Sequence, residues 1–192
     1  MAEKPKSYCE AVEQYDSSNV HRMYHDSKYG FRIEEDDKLF ELLILEIFQA
    51  GLSWTTILNK RENFNHAFHC FDISKVAAYQ EEDRQRLLND AGIIRNRLKI
   101  DAAIHNANVV LQLKREFGSF GKWLDQNHPR SKQEWVKLFK QTFKFTGGEI
   151  VNEFLMSCGY LPGAHIEDCP VYKDAIKSNP PWFKNPAFIG NF

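Results

Sequence analysis

The sequence predicts an all-α fold, and three observations predict it. Apolar residues recur at helical spacing in run after run. Side chains that cap helices stand just ahead of those runs. No stretch alternates apolar and polar residues with the period of two that a half-buried strand requires. Asp36 or Asp37 is placed to cap a helix through Leu39, Phe40, Leu42, Leu43 and Ile47, which Gly51 ends. Ser53 opens the next, with Ile57, Leu58, Phe64 and Phe68 along it, and Asp72-Ile73-Ser74 caps a short helix from Lys75 to Gln80. Glu81-Glu82-Asp83 opens a fourth, its acidic first turn suited to the positive end of the helix dipole. Asn89-Asp90-Ala91-Gly92-Ile93-Ile94 breaks that helix, and a long one follows from Arg95 to Phe117, with Ile100, Ala103, Ile104, Ala107, Val110 and Leu111 on one face. Gly118-Ser119-Phe120-Gly121 turns into a short helix holding Trp123, and Ser131 caps Lys132 to Thr142. Gly147-Gly148 precedes a last apolar helix that ends at Gly159. From Tyr172 the chain reads as an irregular tail, with Asn179-Pro180-Pro181-Trp182 and Asn185-Pro186, packed on the body through Trp182 and Phe183.

The bulk numbers narrow the function classes. A chain of 192 residues that is 43% hydrophobic and 14% aromatic is long enough for a real core and too apolar for disorder. We expect a single domain over 1–192. The net charge of −1 argues against holding nucleic acid by bulk electrostatics, though local basic faces exist at Arg84, Arg86, Arg95, Arg97 and Lys99 and at Lys132, Lys137, Lys140 and Lys144. No apolar stretch approaches the roughly 20 residues of a membrane span, and the start lacks the apolar core of a secretory signal. The 4 cysteines are scattered and do not form a disulfide framework. The expectation is a cytoplasmic protein with no membrane partner, acting as a monomer.

Glu46 is the carboxylate that stands out. It interrupts the run Leu42-Leu43-Ile44-Leu45-Glu46-Ile47-Phe48, just before Gln49-Ala50-Gly51-Leu52-Ser53-Trp54. Two readings are open: a residue on the narrow solvent stripe of a core helix, or a desolvated carboxyl in an active site. Tyr24, Tyr29, Phe48 and Trp54 are aromatics suited to stacking on a planar ring, or simply core.

Two further constellations carry chemistry. His165 and Cys169 form an H-x-x-x-C pair, and Cys9 and His25 stand near the other end; two thiolates and two imidazoles are a closed zinc set. His66 and Cys70 have the same spacing and are an equally valid pair by that criterion. Leu88 to Arg95 forms a tight turn between helices, which is either an ordinary corner or a hairpin offering backbone N–H groups to a phosphate. No Gly-rich phosphate loop and no G-x-S-x-G motif is present, so nucleotide-cofactor redox and phosphoryl transfer have little support.

The order of these pieces resembles the bacterial 3-methyladenine DNA glycosylase I family. The resemblance lies in Tyr24-His25-Asp26-x-x-Tyr29-Gly30, in Leu45-Glu46-x-x-Gln49-Ala50-Gly51-Leu52-Ser53-Trp54-x-x-Ile57-Leu58-x-Lys60-Arg61-Glu62, and in Phe71-Asp72-x-x-Lys75-Val76-Ala77. It continues through Asp90-Ala91-Gly92-Ile93-Ile94-Arg95, Phe143-Lys144-Phe145-x-Gly147 and His165-x-x-x-Cys169. It runs in order over about residues 9–169, leaving 172–192 as the tail.

The resemblance implies a helix-hairpin-helix DNA glycosylase fold, with Ala91, Gly92, Ile93 and Arg95 on the DNA backbone. It implies a structural zinc on Cys9, His25, His165 and Cys169 that joins the N- and C-terminal segments, and it leaves His66/Cys70 aside. It makes Glu46 the active-site glutamate, Trp54 the stacking tryptophan and Tyr24 a tyrosine of the base pocket, with Tyr29, His21 and Glu153 at positions that bear on the base. The activity implied is hydrolytic release of 3-methyladenine from double-stranded DNA in bacterial base-excision repair, without a lysine placed for strand-cleaving lyase chemistry. Departures from the family pattern are His21 for a tyrosine, Tyr29 for a tryptophan, Cys9-Glu10-Ala11 at the start, Asn152-Glu153 for a Tyr-Ser pair, and a short stretch before Lys132. They bear on substrate range more than on fold. The rival functions are a same-fold glycosylase for another damaged base, and a zinc-stapled DNA-binding protein without excision.

Overall fold

The computed structural model describes residues 5–184, so Asn185 and Pro186 of the expected tail lie outside the described residues. Every regular element in that span is helical: α1 (Tyr8–Glu13), α2 (Val20–Ser27), α3 (Asp36–Gln49), α4 (Trp54–Ala67), α5 (Ile73–Ala77), α6 (Glu81–Asn89), α7 (Arg97–Phe117), α8 (Phe120–Asn127), α9 (Lys132–Thr142), α10 (Gly148–Ser157) and α11 (Tyr172–Lys177). Short 3-10 turns stand at His69–Phe71 and Pro181–Lys184. No strand occurs among the described residues, and none of their helices is long and apolar enough to cross a membrane.

Capping chemistry explains most boundaries. Ser53, Asp72, Ser119 and Ser131 each accept a hydrogen bond from the backbone N–H three residues on, opening α4, α5, α8 and α9. Glu134 returns the favour to Ser131 N at 2.8 Å, closing a capping box. The start of α3 differs from expectation. Glu35 precedes it without a side-chain cap, and Asp36 and Asp37 lie in its first turn. Their carboxylates instead accept from Gly121 N (3.1 Å) and Ile73 N (3.4 Å), serving two other helices. The tail from Tyr172 is also not irregular, since it forms α11 and a 3-10 turn.

The described residues divide into two compact units, one of Glu34–Phe154 and one joining those up to Ile33 with those from Leu155 onward. In the first, every residue of α3 from Leu39 to Phe48 is buried, so this helix has no solvent stripe. Phe48 of this helix meets Phe64, which stacks on Phe68 and that in turn on Phe71, and Phe120, Trp123, Phe139 and Phe154 fill a second aromatic layer. In the second unit, Gly159 (φ +77°) lets the last segment approach: a Cβ there would stand 2.7 Å from Pro180 Cβ. Trp182 is buried and its backbone N–H donates to Gly159 O at 3.1 Å, whereas Phe183 is exposed rather than packed on the body.

Candidate active site and metal centre

Helix α3 buries two glutamates, and their surroundings differ. Glu41 receives Arg61 at 2.7 Å and Lys38 at 3.0 Å. Burial works against its charge, but the two cations outweigh burial and hold its carboxyl below the usual range. Glu46 is 4% exposed, and no described residue pairs it with a cation. Burial, and then the neighbouring Glu153 charge, push it well above the usual carboxylate range. The solvent-stripe reading of Glu46 is therefore excluded.

Beyond α3, Gly51 turns the chain with φ +84° and Ser53 caps α4, which places Trp54, half-buried, at the first position of that helix. The turn is tied down from α7. The ammonium of Lys99 donates to Phe48 O at 2.9 Å and to Ala50 O at 2.6 Å, satisfying carbonyls that the end of α3 would leave open. Lys99 is the one buried lysine among the described residues, and burial lowers its pKa. The basic face to which the sequence assigns Lys99 does not reveal this role, although Lys99 falls directly before Ile100 on the apolar stripe of α7.

The turn between α6 and α7 is braced from α4. Lys60 Nζ donates to Ala91 O (3.2 Å) and Gly92 O (3.0 Å), and Asn63 Nδ2 to Gly92 O (3.3 Å). Ile93 plugs the interior while Ala91 and Arg95 are exposed. The Gly92 N–H is held by Asp90 Oδ1 at 2.7 Å.

In the other unit, α1, α2 and the segment after α10 bring together Cys9, His25, His165 and Cys169, with one ligand atom of each within 4.8 Å of the others. Cys9 Sγ lies 3.7 Å from His165 Nδ1, and Cys169 Sγ lies 3.6 Å from His165 Nδ1 and 3.7 Å from His25 Nε2. A tetrahedral ion with ordinary zinc–sulfur and zinc–nitrogen bonds sets ligand atoms about 3.6 Å apart. The outer nitrogens are engaged as well: His25 Nδ1 meets Asp26 Oδ1 at 2.7 Å, and His165 Nε2 donates to Tyr29 O at 2.7 Å. Each ring is thereby fixed with its other nitrogen's lone pair directed at the sulfurs, as metal-binding histidines require. Burial pushes the Cys9 thiol up to about 11. The donor set fits a metal. His66 and Cys70 are both exposed and join no such group among the described residues.

Close to this cluster stand the aromatic residues singled out in the sequence. Tyr24 and Tyr29 are buried with ring centroids 5.9 Å apart, and Tyr24 OH donates to Ser157 Oγ at 3.3 Å. His21 is half-buried, shares a 2.9 Å hydrogen bond with Tyr8 OH and stacks on Tyr15.

The sequence pattern of the methyladenine glycosylase family matches residues 13–137. The chain belongs to that family. This methyladenine glycosylase is 42% identical over 168 residues to DNA-3-methyladenine glycosylase 1 of Escherichia coli (strain K12), covering 78% of this chain and 89% of that protein. It is 35% identical to the DNA-3-methyladenine glycosylase of Haemophilus influenzae (strain ATCC 51907 / DSM 11121 / KW20 / Rd), covering 77% and 89%. Its fold matches the solved 3-methyladenine DNA glycosylase I from Staphylococcus aureus, a structure reported for the basis of 3-methyladenine recognition, with a TM-score of 0.73 at 32% identity over 81% of this chain and 93% of that one.

Proposed function

We propose that this methyladenine glycosylase hydrolyses the N-glycosidic bond of 3-methyladenine in damaged double-stranded DNA, with Glu46 as its catalytic carboxylate. The observation behind it is the contrast on α3: Glu41 has its cations, whereas Glu46 has none and is buried beside a second acid, Glu153. Such a carboxyl gains by receiving a positive charge. Methylation at N3 makes adenine cationic, so the damaged base supplies that charge and the unmodified base does not.

The chemistry follows from charge. When the bond to the sugar breaks, its electron pair passes to the base and cancels the base's charge, while positive character moves to the sugar. Water adds to the sugar carbon and gives up a proton. Glu46, ionised opposite the cationic base, stabilises the charge on the sugar and accepts hydrogen bonds from base or water. Trp54 offers a stacking face, and Tyr24, Tyr29, His21 and Glu153 bear on the base. The product is an abasic site without strand cleavage. Lys99, the buried lysine, is committed to two carbonyls.

Two supporting parts belong to this proposal. Zinc on Cys9, His25, His165 and Cys169 is a structural staple between the terminal segments and takes no part in the reaction. The α6–α7 turn is the hairpin of a helix-hairpin-helix fold and holds DNA backbone through Ala91, Gly92, Ile93 and Arg95. The enzyme acts as a monomer.

Chromatography of bases released from methylated duplex DNA tests the activity. 3-Methyladenine should appear well above spontaneous depurination. Release of another base in its place would overturn the substrate, and tight binding to abasic duplex with no base released would overturn the activity.

A further inference from the structure

The motif Phe143-Lys144-Phe145 divides its two aromatics. Phe143 is buried against Phe120, Trp123 and Phe139, but Phe145 is 41% exposed. The backbone of Phe145 is also left-handed, with φ +63°, which is unfavourable for any residue carrying a Cβ. Such a conformation persists where the surroundings over-determine it, and here they do. Asn106, fully buried on α7, accepts from Lys144 N at 2.8 Å and donates to Lys144 O at 3.0 Å. Thr146 OH, also buried, reaches Phe139 O (3.1 Å) and Phe143 O (3.3 Å). Two interior polar groups thus fix the residues on either side of Phe145 and turn an apolar ring outward. A phenylalanine serving only the core would need neither.

The ring's surroundings indicate what it meets. Lys99 Nζ lies 5.8 Å from its centroid while donating to Ala50 O, so the ring is set beside the turn that leads into Trp54. The adjacent Lys144 is exposed, as is Lys140 one turn back on α9. An outward aromatic next to an exposed lysine in the chain is the pairing used to hold unstacked nucleic acid, where the ring meets a base and the cation meets a phosphate.

We propose that Phe145 is a DNA contact, an aromatic face held rigidly outward to stack on a base or sugar beside the extruded nucleotide. The proposal rests on the glycosylase function proposed above. Its role is to bind the opened duplex rather than to act on the departing base.

The test is binding of the full chain to a duplex carrying a stable abasic-site analogue, followed by fluorescence anisotropy, with melting temperatures measured alongside. Phe145→Ala should weaken binding about tenfold, and Phe145→Trp should stay within about threefold of wild type, because stacking tolerates exchange of one aromatic for another. Phe145→Gly separates function from folding, since glycine suits the left-handed backbone. It should melt no lower than Phe145→Ala and yet lose as much affinity. Wild-type affinity in Phe145→Ala, or affinity losses that merely follow melting temperature, would overturn the proposal. If wild type releases base and Phe145→Ala binds normally, only this proposal falls. If wild type neither binds the duplex nor releases base, the glycosylase function falls and takes this proposal with it.

Discussion

Glu153 stands close enough to Glu46 for its charge to oppose ionisation of that buried carboxyl. In the proposed reaction Glu46 gives up its proton as the cationic base arrives, whereas a neutral base would leave a desolvated negative charge on Glu46 uncompensated.

The displaced pKa of Glu46 links stability to pH. Its folded pKa lies above its unfolded value, so from pH 4.5 upward the native state holds a proton that the unfolded chain has lost, and stability falls until Glu46 ionises. Each unit of displacement is worth about 1.4 kcal/mol. Glu46→Gln removes this term, so the mutant's stability advantage in urea unfolding should be small below pH 4.5 and grow as pH rises. An advantage independent of pH would contradict the displaced pKa.

Thiol chemistry reports on the metal. Cys70 is exposed, whereas Cys9, Cys158 and Cys169 are buried. In native protein carrying zinc, Cys70 alone should react with a disulfide reagent. A chelator should release about one zinc per chain, free Cys9 and Cys169 to react, and lower the melting temperature. Cys158 should react only on unfolding. Metal-free protein with unchanged melting would remove the staple.

Gly30 supports the same centre. It has φ +79°, and a Cβ there would fall 2.7 Å from Ala164 Cβ and 3.0 Å from His165 Cδ2. Gly30→Ala should therefore cost at least about 2 kcal/mol, combining backbone strain with displacement of a ligand-bearing segment. Zinc should also leave it faster under chelation. Wild-type stability in this variant would show that the close approach is wrong.

Lys99→Met keeps the apolar stem but removes the donor to Phe48 O and Ala50 O. Leaving those carbonyls unsatisfied should cost about 1–3 kcal/mol. The urea midpoint should fall with little change in slope, and Lys99→Gln should recover part of the loss. An unshifted midpoint would mean that water replaces the amine without penalty.

Much of this was legible where chemistry is local. Ser53, Asp72 and Ser131 declared three helix starts, because a cap needs only the next three residues. Asp36 and Asp37 misled, since their partners Gly121 and Ile73 are distant in sequence. Helices α1 and α2 were not anticipated, and α11 was read as irregular, being too short for periodicity to reveal. Glu46 was visible as a carboxylate in an apolar run, but the same pattern applies to Glu41, and only their partners tell them apart. Spacing alone left two metal pairs open; the structure gathers one and leaves His66 and Cys70 on the surface. Asn106 gives no local signal, and Lys99 only its place beside Ile100 on the apolar stripe of α7, because each acts on backbone tens of residues away.

The most direct test of the account is single-turnover release of 3-methyladenine from methylated duplex DNA by wild type and by Glu46→Gln, with binding to an abasic duplex measured on both. Wild type should release the base, and Glu46→Gln should fold and bind the abasic duplex but release base at least about a hundredfold more slowly. Release by Glu46→Gln at the wild-type rate would contradict the role given to Glu46.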